Sequence, residues 1–356
     1  MKKAKRQEEQ KNGGSKILIA ILILAILIAG TLFAFKIYKD RQDNLASARD
    51  IGNIYEEKTK KEIQIFKGTD RPIAVMLDNH PDVSSHAGLN NAYIVYEIIV
   101  EGGISRLMPL FKNVDLDKIG PIRSARHYFL DYALENDAIY VHYGWSPQAQ
   151  SDISRLNVNN INGISESSTY FWRVNDRYSP HDVVSDTEKI LSIAERKEYK
   201  TKSMEESILD YVADEFDLEN SETADEITIP YSDSYTVNYK YDEQTKRYIR
   251  YQYGKQHTDW VSKEPVTTKN IIITFATNYT LNDGEGKGRQ GIENIGDLEG
   301  YYITNGKAIK IVCSKSSRSS KTIYKDLNGN IININDGNTF IQICPKNAKV
   351  KLTKAE

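Results

Sequence analysis

The sequence predicts a mixed α/β (α+β) domain followed by a small, mainly antiparallel β domain, both behind a single N-terminal transmembrane helix. Three observations carry this expectation. An uncharged apolar run, "ILIAILILAILIAGTLFAF" (17–35), is long enough to cross a bilayer as a helix. From residue 68 to 216, strand-like apolar runs alternate with segments of helical periodicity. From 227 to 352, alternating tyrosines and aliphatics are punctuated by short turn signals. The 356 residues suffice for two cores.

The elements follow in order. Residues 1–16 form a basic tail, with Lys2, Lys3, Lys5, Arg6, Lys11 and Lys16 offset by Glu8 and Glu9. Beyond the apolar run, Lys36, Lys39 and Arg41 mix with Asp40 and Asp43. The positive-inside bias therefore places the tail in the cytoplasm and the remainder outside, as a single-pass cell-membrane protein. No clear small-x-small cleavage site follows the run, so an uncleaved anchor is expected. A removed signal and a buried helix are the alternatives. Residues 36–67, charged and without a wide apolar face, read as a stalk.

In the first domain, "RPIAVML", "NAYIVYEIIV" and "AIYVHYG" read as buried strands. The apolar spacing of Ile122, Ala125, Phe129 and Ala133 predicts a helix from Ile122 to about Asn136. "SDTEKILSIAERKEY" opens with a capping box, Ser185 and Glu188, and "SMEESILDYVADEF" repeats it with Ser203 and Glu206. An acidic linker, 217–226, follows. In the second domain "SYTVNYKYDEQTKRYIRYQYG" is a hairpin, "NIIITFAT" a strand, and "TNGK" an Asn-Gly turn between two strands. Cys313 and Cys344 sit in strand-like runs, where buried free thiols and a disulfide are both compatible with export.

Composition narrows function. A net charge of −2 gives no global basic field, so no nucleic-acid partner is expected. Two cysteines without close partners make no zinc site, and neither metal nor cofactor is expected. "GWSPQ" ends in Gln148 rather than the Gly of a nucleophile elbow. "GEGKGRQG" lacks the Lys-Ser/Thr of a phosphate loop, and "DLNGN" the closing glutamate of a calcium loop. "HTDW", with His257 and Asp259, has residue types that could bind a metal or orient a base, but a strand-end hydrogen bond is the expectation.

One pattern resists a purely structural reading. A helix from Ile122 puts Arg123 and Arg126 in its first turn, where the dipole disfavours a cation by roughly 0.3–1 kcal/mol. Glu97 and Glu101 lie four apart in an apolar run and need partners if buried. Either these groups form an internal ion-pair network, or Arg106, Arg123, Ser124, Arg126 and Arg177 hold an anionic ligand. Asp78, Glu97, Glu101, His142 and His181 are the candidate acid/base groups, should they converge with the arginines.

The stretches "RPIAVMLDN", "GLNNAYIVYEIIVEGGISRLMPLF", "IGPIRSARHYFLDYA" and "RYSPHDVV", with "HTDW", "IENIG" and "NGKAIKIVCSK" later, resemble the YerB-like family of bacterial lipoproteins over most of 68–350. The resemblance implies an exported, membrane-tethered protein in two parts of unknown function, with no established reaction. The family's lipid-attachment cysteine is replaced here by the apolar run, and its Arg-Pro near Ser84-Ser85 and acid near Tyr93 are absent. The leading expectation is an envelope protein that binds an anionic, peptidoglycan-related component. A carboxylate/histidine hydrolase or transferase, and a non-catalytic scaffold, are the alternatives.

Overall fold

The computed structural model describes residues 62–355, together with Thr31, Phe35, Lys36, Tyr38 and Lys39. The tail and most of the expected anchor and stalk lie outside the described residues. Among the described residues, no helix is long and apolar enough to cross a membrane.

Residues 62–356 form one compact unit, mixed in class, with few helices and large sheets. Its frame is a twelve-stranded mixed sheet. The first half of the sequence supplies β1 (Ile73–Val75), β2 (Ile94–Ile99), β3 (Ser105–Phe111), β4 (Ile139–His142) and β5 (Asn160–Asn162). The second half supplies β6 (Glu226–Pro230), β7 (Thr236–Asp242) and β8 (Arg247–Gln252) to a second, six-stranded sheet, and β9 (Asn270–Thr280), β10 (Gly296–Thr304), β11 (Lys307–Lys315) and β12 (Thr339–Pro345) to the frame, which shorter strands complete. Strand β12 lies parallel between β9 and β2, with Ile341 opposite both Ile272 and Tyr96, so the two halves share one sheet.

Strand β2 is buried on both faces, which is why "IVYEII" reads as a continuous apolar run rather than an alternating one. Ile94, Tyr96 and Ile98 join one core; Val95 and Ile99 join the other, which also holds Ile227, Val237, Tyr239 and Tyr248 of the second sheet. That second sheet is built on β6, β7 and β8 and closed by Lys351–Thr353. Glu97 shares the face of Val95 and Ile99, and so points to the second sheet.

The hairpins form where expected. Asn305 (φ 49°) and Gly306 (φ 71°) make the two-residue turn between β10 and β11. A Cβ on Gly306 would lie 2.9 Å from Asp225 Oδ1. Gly306→Ala therefore meets both strain and contact, and the urea midpoint is expected to fall by an amount equivalent to about 1–2 kcal/mol. Cys313 and Cys344 are free and buried.

Three helical expectations need correction. The first helix, α1, runs only from Phe129 to Glu135. Residues 119–125 are extended instead, because neighbouring segments take their backbone groups. Ile122 N–H donates to Val183 O, Arg123 N–H to Met76 O and Ala125 N–H to Gly144 O. Arg123 and Arg126 therefore precede the helix rather than occupying its first turn. The second helix, α2 (Pro147–Arg155), is capped by Ser146. The third, α3 (Thr187–Arg196), starts one residue later than the Ser185 capping box implies: Asp186 accepts from Lys189 N–H. Residues 203–216 form no helix. Tyr211–Val212 pairs in parallel with Ile334–Asn335, and that tertiary pairing overrides the local pattern.

Candidate functional site

Asp78 lies three residues beyond the end of β1, and the loop that it opens carries His80 and Asp82. The extended segment 119–125 lies against the same edge, with Asp78 N–H donating to Pro121 O. The loop just before the short strand Val183–Val184 brings in His181, which follows a cis Ser179–Pro180 bond. Asp78 is the meeting point. Its Oδ2 accepts from His181 Nδ1 at 2.6 Å and lies 3.1 Å from Arg123 Nε. Burial alone would raise this carboxyl, but Arg123, the His181 hydrogen bond and Arg106 outweigh it and hold the group below its usual range. Asp78 is thus a carboxylate.

Beside it stand three guanidinium groups. Arg106, on β3, is buried and donates to the Ser124 carbonyl. Among the described residues no carboxylate lies within ion-pair distance of it. Burial, then the nearby Arg126 and Arg123, pull its pKa down to about 10 despite the counter-effect of Glu101. Arg126 forks onto Glu101 at 2.6 and 3.0 Å. Arg123 remains a quarter exposed and reaches Pro180 O at 3.3 Å. Three cations face two carboxylates, so the cluster carries an excess positive charge in a poorly solvated place. Such a site favours an anion with oxygens to share among guanidinium donors.

The other expected residues divide clearly. Glu101 sits in the turn after β2, with Arg126 as its partner. Glu97 is sealed inside, fully buried against Arg250 at 2.9 Å, and accepts from Tyr235 and Ser105 as well. His142 is fully buried, bonded to Gly144 O and to Asn160; burial pushes it down to about 4, so it stays neutral. Arg177 donates to Ser85 and lies over the Trp260 ring, 3.5 Å from its centre, which places it beside Asp78's loop rather than on Asp78.

Arg250, His86 and His80 were not among the expected residues. Arg250 occupies the inward face of β8, between Tyr248 and Gln252. Its Nη1 donates to His257 Nδ1 at 2.6 Å, His257 Nε2 donates to His86 Nδ1 at 2.7 Å, and His86 Nε2 donates to the Asp78 carbonyl. This order of donors requires both imidazoles to be neutral. Burial agrees: it drives His86 down to about 3 and His257 well below its ordinary value. A hydrogen-bonded spine thus runs from the buried Glu97–Arg250 pair to the backbone of Asp78. The signal for Arg250 was a lone cation on the apolar face of an alternating strand, "RYIRYQ".

Comparison with known proteins covers both halves. Residues 58–200 match the model described as "Protein of unknown function (DUF3048) N-terminal domain", and residues 227–341 match its C-terminal counterpart. A Bacillus subtilis (strain 168) protein described as "Putative lipoprotein YerB" is 29% identical over 300 residues, spanning 80% of this chain and 85% of that one. The crystal structure of YerB protein from Bacillus subtilis superposes with a TM-score of 0.71 at 28% identity, over 82% of this chain and 97% of that chain. Fold, order of the two matched regions and length all agree, and the chain belongs to the YerB-like family, whose two parts are the DUF3048 N-terminal and C-terminal domains.

Proposed function

We propose that this chain is an extracytoplasmic, membrane-associated protein of the cell envelope that binds an anionic envelope component through Arg106 and Arg123, with Arg126 and Ser124 shaping the site. Membrane association at the cell surface is supported by the likeness to a protein described as a lipoprotein. The apolar run at 17–35 is the proposed single-pass anchor. The observation that carries the binding reading is Arg106: a buried guanidinium with Arg123 and Arg126 beside it and, among the described residues, no carboxylate within ion-pair distance. A carboxylate-bearing peptidoglycan fragment matches both the location and the donor geometry.

Acid/base chemistry is a second reading, favoured by the 2.6 Å contact between Asp78 and His181. Asp78 itself is only 2% exposed, so His181 would be the group meeting substrate.

Arg123→Ala separates binding from scaffolding. Asp78 keeps His181, and Arg123 is partly exposed, so the variant is expected to lose about 1 kcal/mol of stability or less. Titration of detergent-solubilised full-length chain with a soluble muropeptide bearing free carboxylates is expected to show at least tenfold weaker binding in the variant. Wild-type binding is expected to weaken as salt is raised, because the site is partly open to solvent. A melting temperature more than about 10 °C lower, with no muropeptide binding by wild type, would instead make the cluster a scaffold.

A further inference from the structure

We infer that His80, Asp82 and His181 form a binding site for a divalent transition-metal cation, of which Zn²⁺ is the representative. Each residue offers one ligand atom, and these atoms all lie within 4.8 Å of one another. Three ligands held tetrahedrally around one ion at about 2.0–2.2 Å stand roughly 3.3–3.6 Å apart, so side-chain rotations that draw the three atoms together would complete the site. The donor set, two imidazoles and one carboxylate, suits zinc and its neighbours and is poorly matched to calcium or magnesium, which take oxygen ligands.

The surroundings of the three residues carry the inference beyond mere proximity. His181 is more than nine-tenths buried, and its Nδ1–H is committed to the Asp78 carboxylate. With Nδ1 so engaged, Nε2 is the ring atom left to ligate, and among the described residues it has no hydrogen-bond partner. A carboxylate orienting a histidine in this way is the usual outer partner of a metal-binding imidazole. The His80 and His181 rings are stacked with centres 4.8 Å apart, and His80 Nδ1 lies 3.2 Å from Asp82 Oδ2. His80 is half-buried and Asp82 exposed, which leaves an entry path and room for water or a ligand atom on the metal. Asp78 contributes as a positioning residue, not a ligand, and the spine through His86 and His257 holds its backbone.

The site stands independently of the anion reading, because it uses no arginine. The test uses full-length, tag-free chain in detergent, stripped with EDTA, dialysed and titrated with Zn²⁺ alone. One Zn²⁺ per chain is expected by calorimetry and elemental analysis. His80→Ala and Asp82→Asn are each expected to weaken binding at least tenfold with melting temperatures of the metal-free protein unchanged. Asp78→Asn is expected to weaken Zn²⁺ by 10- to 100-fold and to alter the visible spectrum of the Co²⁺ form, which a purely structural role would not do. His127→Ala, remote from the cluster, and Arg123→Ala are expected to keep wild-type stoichiometry. Absence of stoichiometric Zn²⁺, or unchanged binding in the His80→Ala and Asp82→Asn double variant, would overturn the assignment.

Discussion

Glu97→Ala is expected to lower the unfolding free energy by about 3–5 kcal/mol, the cost of leaving a buried guanidinium without its counter-charge. For a body of this size that is a fall of roughly 6–20 °C in melting temperature. Arg250 and Glu97 are both wholly shielded from solvent, and the carboxylate also receives Tyr235 at 2.5 Å and Ser105 at 2.7 Å. The pair links β2 of the first half to β8 of the second, and so welds the two sheets. Replacing both partners with apolar residues of similar size is expected to cost less than the two single changes added together, since no charge is then stranded. Circular dichroism melts of the three variants decide it. A loss below 1 kcal/mol for Glu97→Ala would mean that water reaches the pair.

The second large effect is with pH. His86 is held down to about 3, His142 to about 4, and His257 is likewise lowered, all chiefly by burial. In the unfolded chain each titrates near 6.5. Between those values the unfolded state binds protons that the folded state refuses, so stability is complete above pH 6.5 and falls as pH drops below it. Three histidines contribute about 4 kcal/mol per pH unit. Asp131 opposes them, because burial lifts its carboxyl to about 6 despite Arg318, and a raised carboxyl favours the fold on acidification. It cancels about one histidine between pH 6 and 4. The net loss from pH 6.5 to 4.5 still amounts to several kcal/mol, comparable with the whole stability of an ordinary domain. Urea midpoints measured at pH 7 and pH 5 are expected to differ sharply; equal midpoints would show that the imidazoles are charged or hydrated in the fold.

Local signals in the sequence served well where local physics decides structure. The doubly buried β2 and the Asn-Gly hairpin at Asn305–Gly306 were legible because a continuous apolar run and a positive-φ turn each have a characteristic residue pattern. Residues 122–125, within the extended segment 119–125, were misread for the opposite reason. The segment pairs with a different neighbour on each side, so its apolar spacing reports burial between partners rather than the face of a helix. Residues 203–216 carry helix-like caps, yet Ile208, Leu209 and Tyr211 are buried in an extended course whose partner lies at Ile334–Asn335.

The site was half visible. Asp78, His181 and Arg123 were singled out from their positions at element ends, and the fold brings them together. Glu97's partner could not be read, because Arg250 lies 153 residues away and only tertiary packing joins them. His80 and Asp82 were legible in principle, since "DNHPD" sets two acids and a histidine within five residues of a strand end. What raised them above an ordinary polar loop is the arrival of His181 from another part of the chain.

In the proposed function, the guanidinium groups beside Asp78 bind an anion. The most direct measurement is a crystal structure of the chain soaked with a muropeptide bearing free carboxylates. A carboxylate bridging Arg106 and Arg123 is the predicted result. At saturating muropeptide, an empty space between those two arginines, or density bound only elsewhere on the molecule, would contradict it.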